Sequence, residues 1–274
     1  MKEKNIIIKR ILIILLIIFA ILALSVSALF IYDRATVNNQ YSIQEENLDI
    51  PIFVYHDIVA DESKVEYDYM QTTKDVFEKQ IKGLKDFGYH FITYEDLQKY
   101  KNNEIKLYKK SCILTFDDGY EGVYKNAYPV AKKYDVPFTM FIVTHNMSKE
   151  NIISWEQAKE MQNSGLVTIA SHSIDHADFS KLSTEQAVEN VNESYKDIEK
   201  NLGNQKTKIF TYPYGLYKEE QIVELEKHGY VQNLTDNKIN KSKKLDLVRL
   251  HRDYPLSDST TKILLKILYR SIRY

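Results

Sequence analysis

"SCILTFDDGY", residues 111–120, decides how the chain is read. An apolar run ends at Phe116 and gives way to two adjacent aspartates and a glycine. The run has the length and content of a buried strand. Asp and Gly suit the turn that stops it, so by itself the pair is an ordinary turn.

The same pattern recurs on both sides. "IPIFVY" is strand-like and ends at His56, "VPFTMFIV" ends at Val143, "LVTIA" runs into Ser171 and His172, and "KIFTY" runs into Pro213, Tyr214 and Gly215. Helical patterns separate these runs. "KDVFEKQIKGLKDFG" sets Phe77, Ile81, Leu84 and Phe87 on one face before Gly88. "GVYKNAYPVAKKY" has helical spacing with Pro129 as a candidate kink. Ser154 with Gln157, and Ser183 with Gln186, are capping-box starts closed by Gly165 and Gly203. "KEEQIVELEKHG" predicts one more helix, "YVQNL" and "LDLVRLH" two late strands, and residues 257–271 a closing amphipathic helix. Strand and helix in alternation predict an α/β fold with a parallel sheet, whose sites lie at the C-terminal ends of the strands. His56, Asp117, Asp118, His172 and the Pro213–Gly215 turn all fall there.

Composition narrows the classes. Lys and Arg total 37 against 38 Asp and Glu, which excludes a strongly basic nucleic-acid footprint. Cys112 is the one cysteine, so no internal disulfide is possible, and its apolar run makes it a small buried hydrophobe. Tyrosine, at 21 residues, suits glycan and interface surfaces, though biased composition explains it equally well.

Lys2, Lys4, Lys9 and Arg10 precede an uncharged apolar run from Ile11 to Tyr32. At 1.5 Å per residue such a run can cross a hydrocarbon core of about 30 Å. The expected layout is a cytoplasmic basic flank at 1–10, a single-pass transmembrane signal anchor at 11–32, a polar linker at 33–49 and a folded domain at 50–274 facing outward. "SVSA" at 25–28 leaves a cleaved signal peptide open.

His172 and His176 stand four residues apart, spacing that a helix face or a tight loop can aim at one ion. Two histidines and one carboxylate make a three-ligand site with open positions, the pattern of a catalytic metal. The doubled aspartate then has a reason: one carboxylate binds the ion, and the other takes a proton from its acidified water.

"TFDDG", "SHSIDH" and "YPYG" resemble motifs of the polysaccharide deacetylases, carbohydrate esterase family four, with a NodB-like domain; the resemblance runs from about Ile52 to Pro255. It implies a distorted (β/α) barrel of about seven parallel strands and metal-dependent removal of N-acetyl groups from sugars. It implies Asp117 as base, Asp118, His172 and His176 as metal ligands, and the Tyr214 backbone N–H as oxyanion donor within the substrate-binding turn Pro213, Tyr214, Gly215. One divalent ion is implied, zinc first, with cobalt, nickel or iron also suited. "VYHDI" resembles the permuted branch acting on poly-N-acetylglucosamine, whose acid histidine comes first, and so assigns the acid to His56, with His251 in "VRLHRD" as the alternative. Thr211 stands where the wider family often has an arginine, so Arg252 is expected to orient the base, with Arg249 as runner-up. Trp155 is a candidate sugar-stacking residue, or packs against the barrel.

The implied partners are an N-acetylated glycan polymer, the membrane, and machinery that makes or exports the polymer, with no nucleic acid. The implied role is in a biofilm matrix, where freed amines are cationic. Peptidoglycan is the competing substrate, and a non-catalytic glycan-binding protein the competing class.

Overall fold

In the computed structural model, residues 2–37, 49–66, 69–234 and 238–273 are described. The chain divides into two compact units, Met1–Gln40 and Tyr41–Tyr274.

The first unit holds one helix, α1 (Lys2–Val37). Its side chains are described at residues 9–25 and 27, and those from Ile11 to Leu24 include many exposed Ile and Leu and an exposed Phe19. Among the described residues no helix is long and apolar enough to cross a membrane. Of the expected linker at 33–49, residues 33–37 fall within α1. Helix α1 continues through Val37, since "DRATV" contains no Gly or Pro to stop it, and residues 38–48 lie outside the described residues.

The second unit runs β1 (Ile52–Tyr55), β2 (Asp57–Val59), β3 (Gln71–Thr73), α2 (Lys74–Asp86), β4 (His90–Phe91), α3 (Tyr94–Lys101), β5 (Ser111–Phe116), α4 (Tyr128–Tyr134), β6 (Phe138–Ile142), α5 (Trp155–Asn163), β7 (Val167–Ser171), α6 (Thr184–Leu202), β8 (Ile209–Thr211), α7 (Glu219–Lys227), β9 (Val231–Leu234), β10 (Leu250–His251) and α8 (Thr260–Arg273). Strands β1, β5, β6, β7, β8, β9 and β10 pair in that order, all parallel. Just past β10, Asp253 N–H donates to Ile52 O and Val54 N–H to Asp253 O, each at 2.8 Å. The sheet therefore nearly closes, giving the distorted seven-stranded barrel that the family resemblance implies.

The distortion lies between β9 and β10, where a short turn at Ser242–Lys244 replaces a covering helix. The strand expected at 245–251 shrinks to Leu250–His251, whose end the Asn240 amide clasps. Asn240 Nδ2 donates to Ile50 O and His251 O, and its Oδ1 accepts from His251 N–H. Pro129 falls in the first turn of α4, where its missing N–H costs little. The turn before it, Val123–Ala127, is π-helical. The β2–β3 pair, β4 and α3 were not legible beforehand.

Side chains alternate across each strand. Ile52, Ile113, Phe141, Ala170, Ile209, Val231 and Leu250 form one core, the barrel interior. Their neighbours Phe53, Cys112, Leu114, Met140 and Ile169 pack in a second core that includes helix residues such as Phe77, Ile81 and Ala158. Phe210 joins a third with Val191 and Leu225. This phase positions the site. Continued by twos past the strand ends, the inward series reach His56, Asp117, His172, Pro213 and Arg252.

Candidate active site

Asp117 is buried, and both its oxygens accept from one guanidinium: Arg252 Nη1 donates to Oδ1 and Nη2 to Oδ2, each at 2.7 Å. Arg252 is itself buried, with its guanidinium 5.5 Å from the Phe141 ring centroid. Burial alone would raise the Asp117 pKa. Arg252, then His172 and His56, outweigh it and hold the carboxyl at about 2. Arg249 lies elsewhere, paired with Glu219 at 3.0 Å and Asp246 at 3.4 Å.

The next residue faces a different set. Asp118 Oδ1 lies 3.5 Å from His172 Nε2 and 3.2 Å from His176 Nε2, and the three side chains each offer a ligand atom within 4.8 Å of the others. His172 Nδ1 is 2.9 Å from Thr211 O, and a carbonyl only accepts, so Nδ1 carries the proton. Burial, the largest influence, keeps the ring neutral by pushing its pKa down despite Asp117 and Asp118. Nε2 therefore turns a lone pair toward Asp118 Oδ1, which is buried with no hydrogen-bond partner. Lone pair facing lone pair is unfavourable unless a cation lies between them. The donor set thus fits a divalent ion, with Thr211 O fixing the ligand tautomer from behind.

The backbone here is unusual. Asp118, Ser173, His176 and Tyr214 all have positive φ, between 59° and 75°, although none is glycine. Such conformations cost about 1–3 kcal/mol each and gather at functional sites. The histidine pair lies on a loop, pinned where His176 N–H donates to Ser173 Oγ at 2.8 Å. Tyr214 sits in the short turn Pro213–Gly215, its exposed ring edge-on to His176 at 4.5 Å.

His56 is half-buried, with Nδ1 lacking a hydrogen-bond partner and its ring nearly parallel to Tyr254 at 5.9 Å. It acts electrostatically on both Asp117 and Asp118. His251 acts on Asp253 instead. Trp155 is half-buried in the first turn of α5 against the core. Sequence reasoning missed Thr211 O, Tyr254 and the left-handed residues. Of these, only the strand phase that aims Thr211 toward the mouth leaves a trace in the sequence.

A family profile described as polysaccharide deacetylase matches residues 104–232. The Bacillus subtilis protein YxkH, whose name places it among the polysaccharide deacetylases, is 33% identical over 208 residues, covering 76% of this chain and 72% of that one. The chain belongs to the polysaccharide deacetylase family. It is accordingly a hydrolase. Staphylococcus aureus proteins named poly-beta-1,6-N-acetyl-D-glucosamine N-deacetylase are 35% identical over 166 residues, 56% of this chain, and the match spans 57% of their length. The Streptococcus pyogenes deacetylase PplD, solved in complex with acetate, superposes with a TM-score of 0.72 at 27% identity, covering 81% of this deacetylase and 99% of that chain.

Proposed function

We propose that this deacetylase removes N-acetyl groups from N-acetylglucosamine units of an extracellular polysaccharide of the poly-β-1,6 type. The observation that carries the reading is the Asp117–Arg252 pair set directly beside the Asp118, His172, His176 donor set. The names of the Staphylococcus aureus relatives and the acetate in PplD support the substrate and the product.

Asp118, His172 and His176 would hold one divalent ion; zinc suits this donor set best, and cobalt, nickel and iron accept it. When bound, the ion supplies a Lewis acid that polarises the acetyl carbonyl and acidifies water. Asp117, kept ionised and fixed by Arg252, accepts a proton from the attacking water. The backbone N–H of Tyr214 donates to the oxyanion, a contact worth about 2.7–4 kcal/mol at comparable sites. Pro213 and Gly215 shape that turn around the acetyl group. His56 gives a proton to the sugar nitrogen as the amide C–N bond breaks, leaving acetate and a free amine. The exposed apolar run of α1 from Ile11 to Leu24 supports attachment to the cell membrane, with the barrel outside and polymer synthesis and export machinery as the partner class.

The test is acetate release from β-1,6-linked N-acetylglucosamine oligomers, with chelator and with metal restored. Release that needs metal, disappears in Asp117→Asn, and falls at least a hundredfold in His56→Ala but not in His251→Ala is the expected result. A folded, metal-loaded protein that releases acetate only from peptidoglycan fragments overturns the substrate.

A further inference from the structure

His56, the acid of the proposed reaction, follows β1, which has a neighbour on each side. On one side is β5, where Asp117 N–H donates to Tyr55 O at 2.9 Å and sets the base beside the acid. On the other is the segment just past β10. There Asp253 pairs with Phe53 in parallel, through the two 2.8 Å bonds that nearly close the barrel.

This register decides what faces His56. Residues 252 and 254 share the inward phase of residues 54 and 56. With Asp253 opposite Phe53, Tyr254 comes opposite Val54 and one inward step short of His56. Aromatic side chains span such a diagonal. The two rings meet there, with centroids 5.9 Å apart and planes 11° from parallel. Pro255 follows and favours extended backbone at residue 254, which keeps the tyrosine in this phase.

The ring contact does what no hydrogen bond does here. The orientation of a histidine is commonly set by a hydrogen bond to its second ring nitrogen. His56 Nδ1 is buried and, among the described residues, has no such partner. The face of the imidazole is therefore what the fold holds. Offset stacking resists rotation of the ring out of its plane without occupying a ring nitrogen. Half-buried Tyr254 also stands within electrostatic reach of Arg252. A segment of three residues thus meets the base through Arg252 and the acid through Tyr254.

We infer that Tyr254 is the positioning residue of the acid: its ring holds the His56 imidazole in the plane from which it protonates the departing amine. The inference rests on the assignment of His56 above. It has a chemical signature, because a loosened acid slows only a reaction whose leaving group needs its proton. The sugar amine needs it, whereas 4-nitrophenolate departs without one.

The test measures kcat and KM for acetate release from N-acetylglucosamine oligomers and from 4-nitrophenyl acetate, using the full-length chain in detergent with metal restored. His56→Ala sets the scale by raising the ratio of ester to amide turnover at least about a hundredfold. Tyr254→Leu is expected to raise that ratio about tenfold, the size of one aromatic pair, through amide kcat with little change in KM. Tyr254→Phe keeps the ring and should restore the ratio to within about twofold of wild type. In the His56→Ala background, Tyr254→Leu should move the ratio no further, since the two residues act as one unit. A leucine variant that loses ester and amide turnover by one factor would make Tyr254 a merely structural residue and overturn the inference. So would a leucine variant equal to wild type, or a phenylalanine variant as poor as leucine, which would assign the effect to the hydroxyl. If wild type releases acetate from the oligomers but His56→Ala leaves the ratio unmoved, the acid assignment itself falls and the inference with it. Tyr254→Met, unbranched and without a ring, takes the place of the leucine variant if that one fails to fold.

Discussion

Arg252 spends its only charge inside the barrel, on a carboxylate buried as deeply as itself. Two parallel N–H···O bonds fix the plane of Asp117, which a lysine cannot do from a single nitrogen. Arg252→Lys should keep the fold yet lower kcat by about ten- to a hundredfold with little change in KM, as read from acetate-release kinetics. Arg252→Ala should instead destabilise by about 3–5 kcal/mol in denaturant titration, because it strands a buried carboxylate. A lysine variant with wild-type kcat would show that charge alone suffices. Two arginines near the C-terminus looked eligible from sequence. Phase separates them: Leu250 faces the barrel interior, so Arg252 faces it too, whereas Arg249 is left on the surface. The Asp118, His172 and His176 donor set was legible through the motifs that resemble the family, and the structure brings their ligand atoms within 4.8 Å of one another. The left-handed backbone beneath Asp118 and His176 was not, since neither residue type demands a positive φ.

At the scale of elements, α8 returns to the start of the barrel. Arg270 lies against Asp253 and 3.5 Å from Asp49, clamping the helix to the segment that carries Arg252. Burial is the largest influence on Asp49 and raises its pKa to about 6 despite Arg270. Asp253 is raised as well, again chiefly by burial. A carboxyl whose folded pKa exceeds its unfolded value of 3.8 binds its proton more tightly in the folded state. Its contribution to stability is then present in full below about pH 4 and is lost as pH rises through 6, amounting to about 3 kcal/mol. Asp49→Asn should flatten this part of the profile. Its urea midpoint should fall less than that of wild type between pH 4.5 and 7, and parallel curves would refute the assignment. The apolar spacing within residues 257–271 made α8 legible as amphipathic. Its clamp was not, because Arg270 and Asp49 lie near opposite ends of the second unit and charge order alone does not pair them.

For the barrel as a whole, the proposed metal ligands come from two strand ends, β5 and β7, which β6 separates in the sheet. An ion held there would tie those ends together in the folded state, and the unfolded chain would lack the site. Binding to the folded form alone stabilises it by about 4 kcal/mol when free metal is a thousand times the Kd. For a domain of this size that shifts the melting temperature by roughly 10 °C. Calorimetry of the chain after chelation, and again with zinc restored, should show a reversible rise of about that size. His172→Ala should show none, because it removes a ligand whose tautomer Thr211 O prepares. Asp117→Asn should keep most of the rise while losing turnover, since Asp117 lies outside the donor set. A rise that survives His172→Ala would place the ion elsewhere, and one lost in Asp117→Asn would make both aspartates ligands and leave the base to another group.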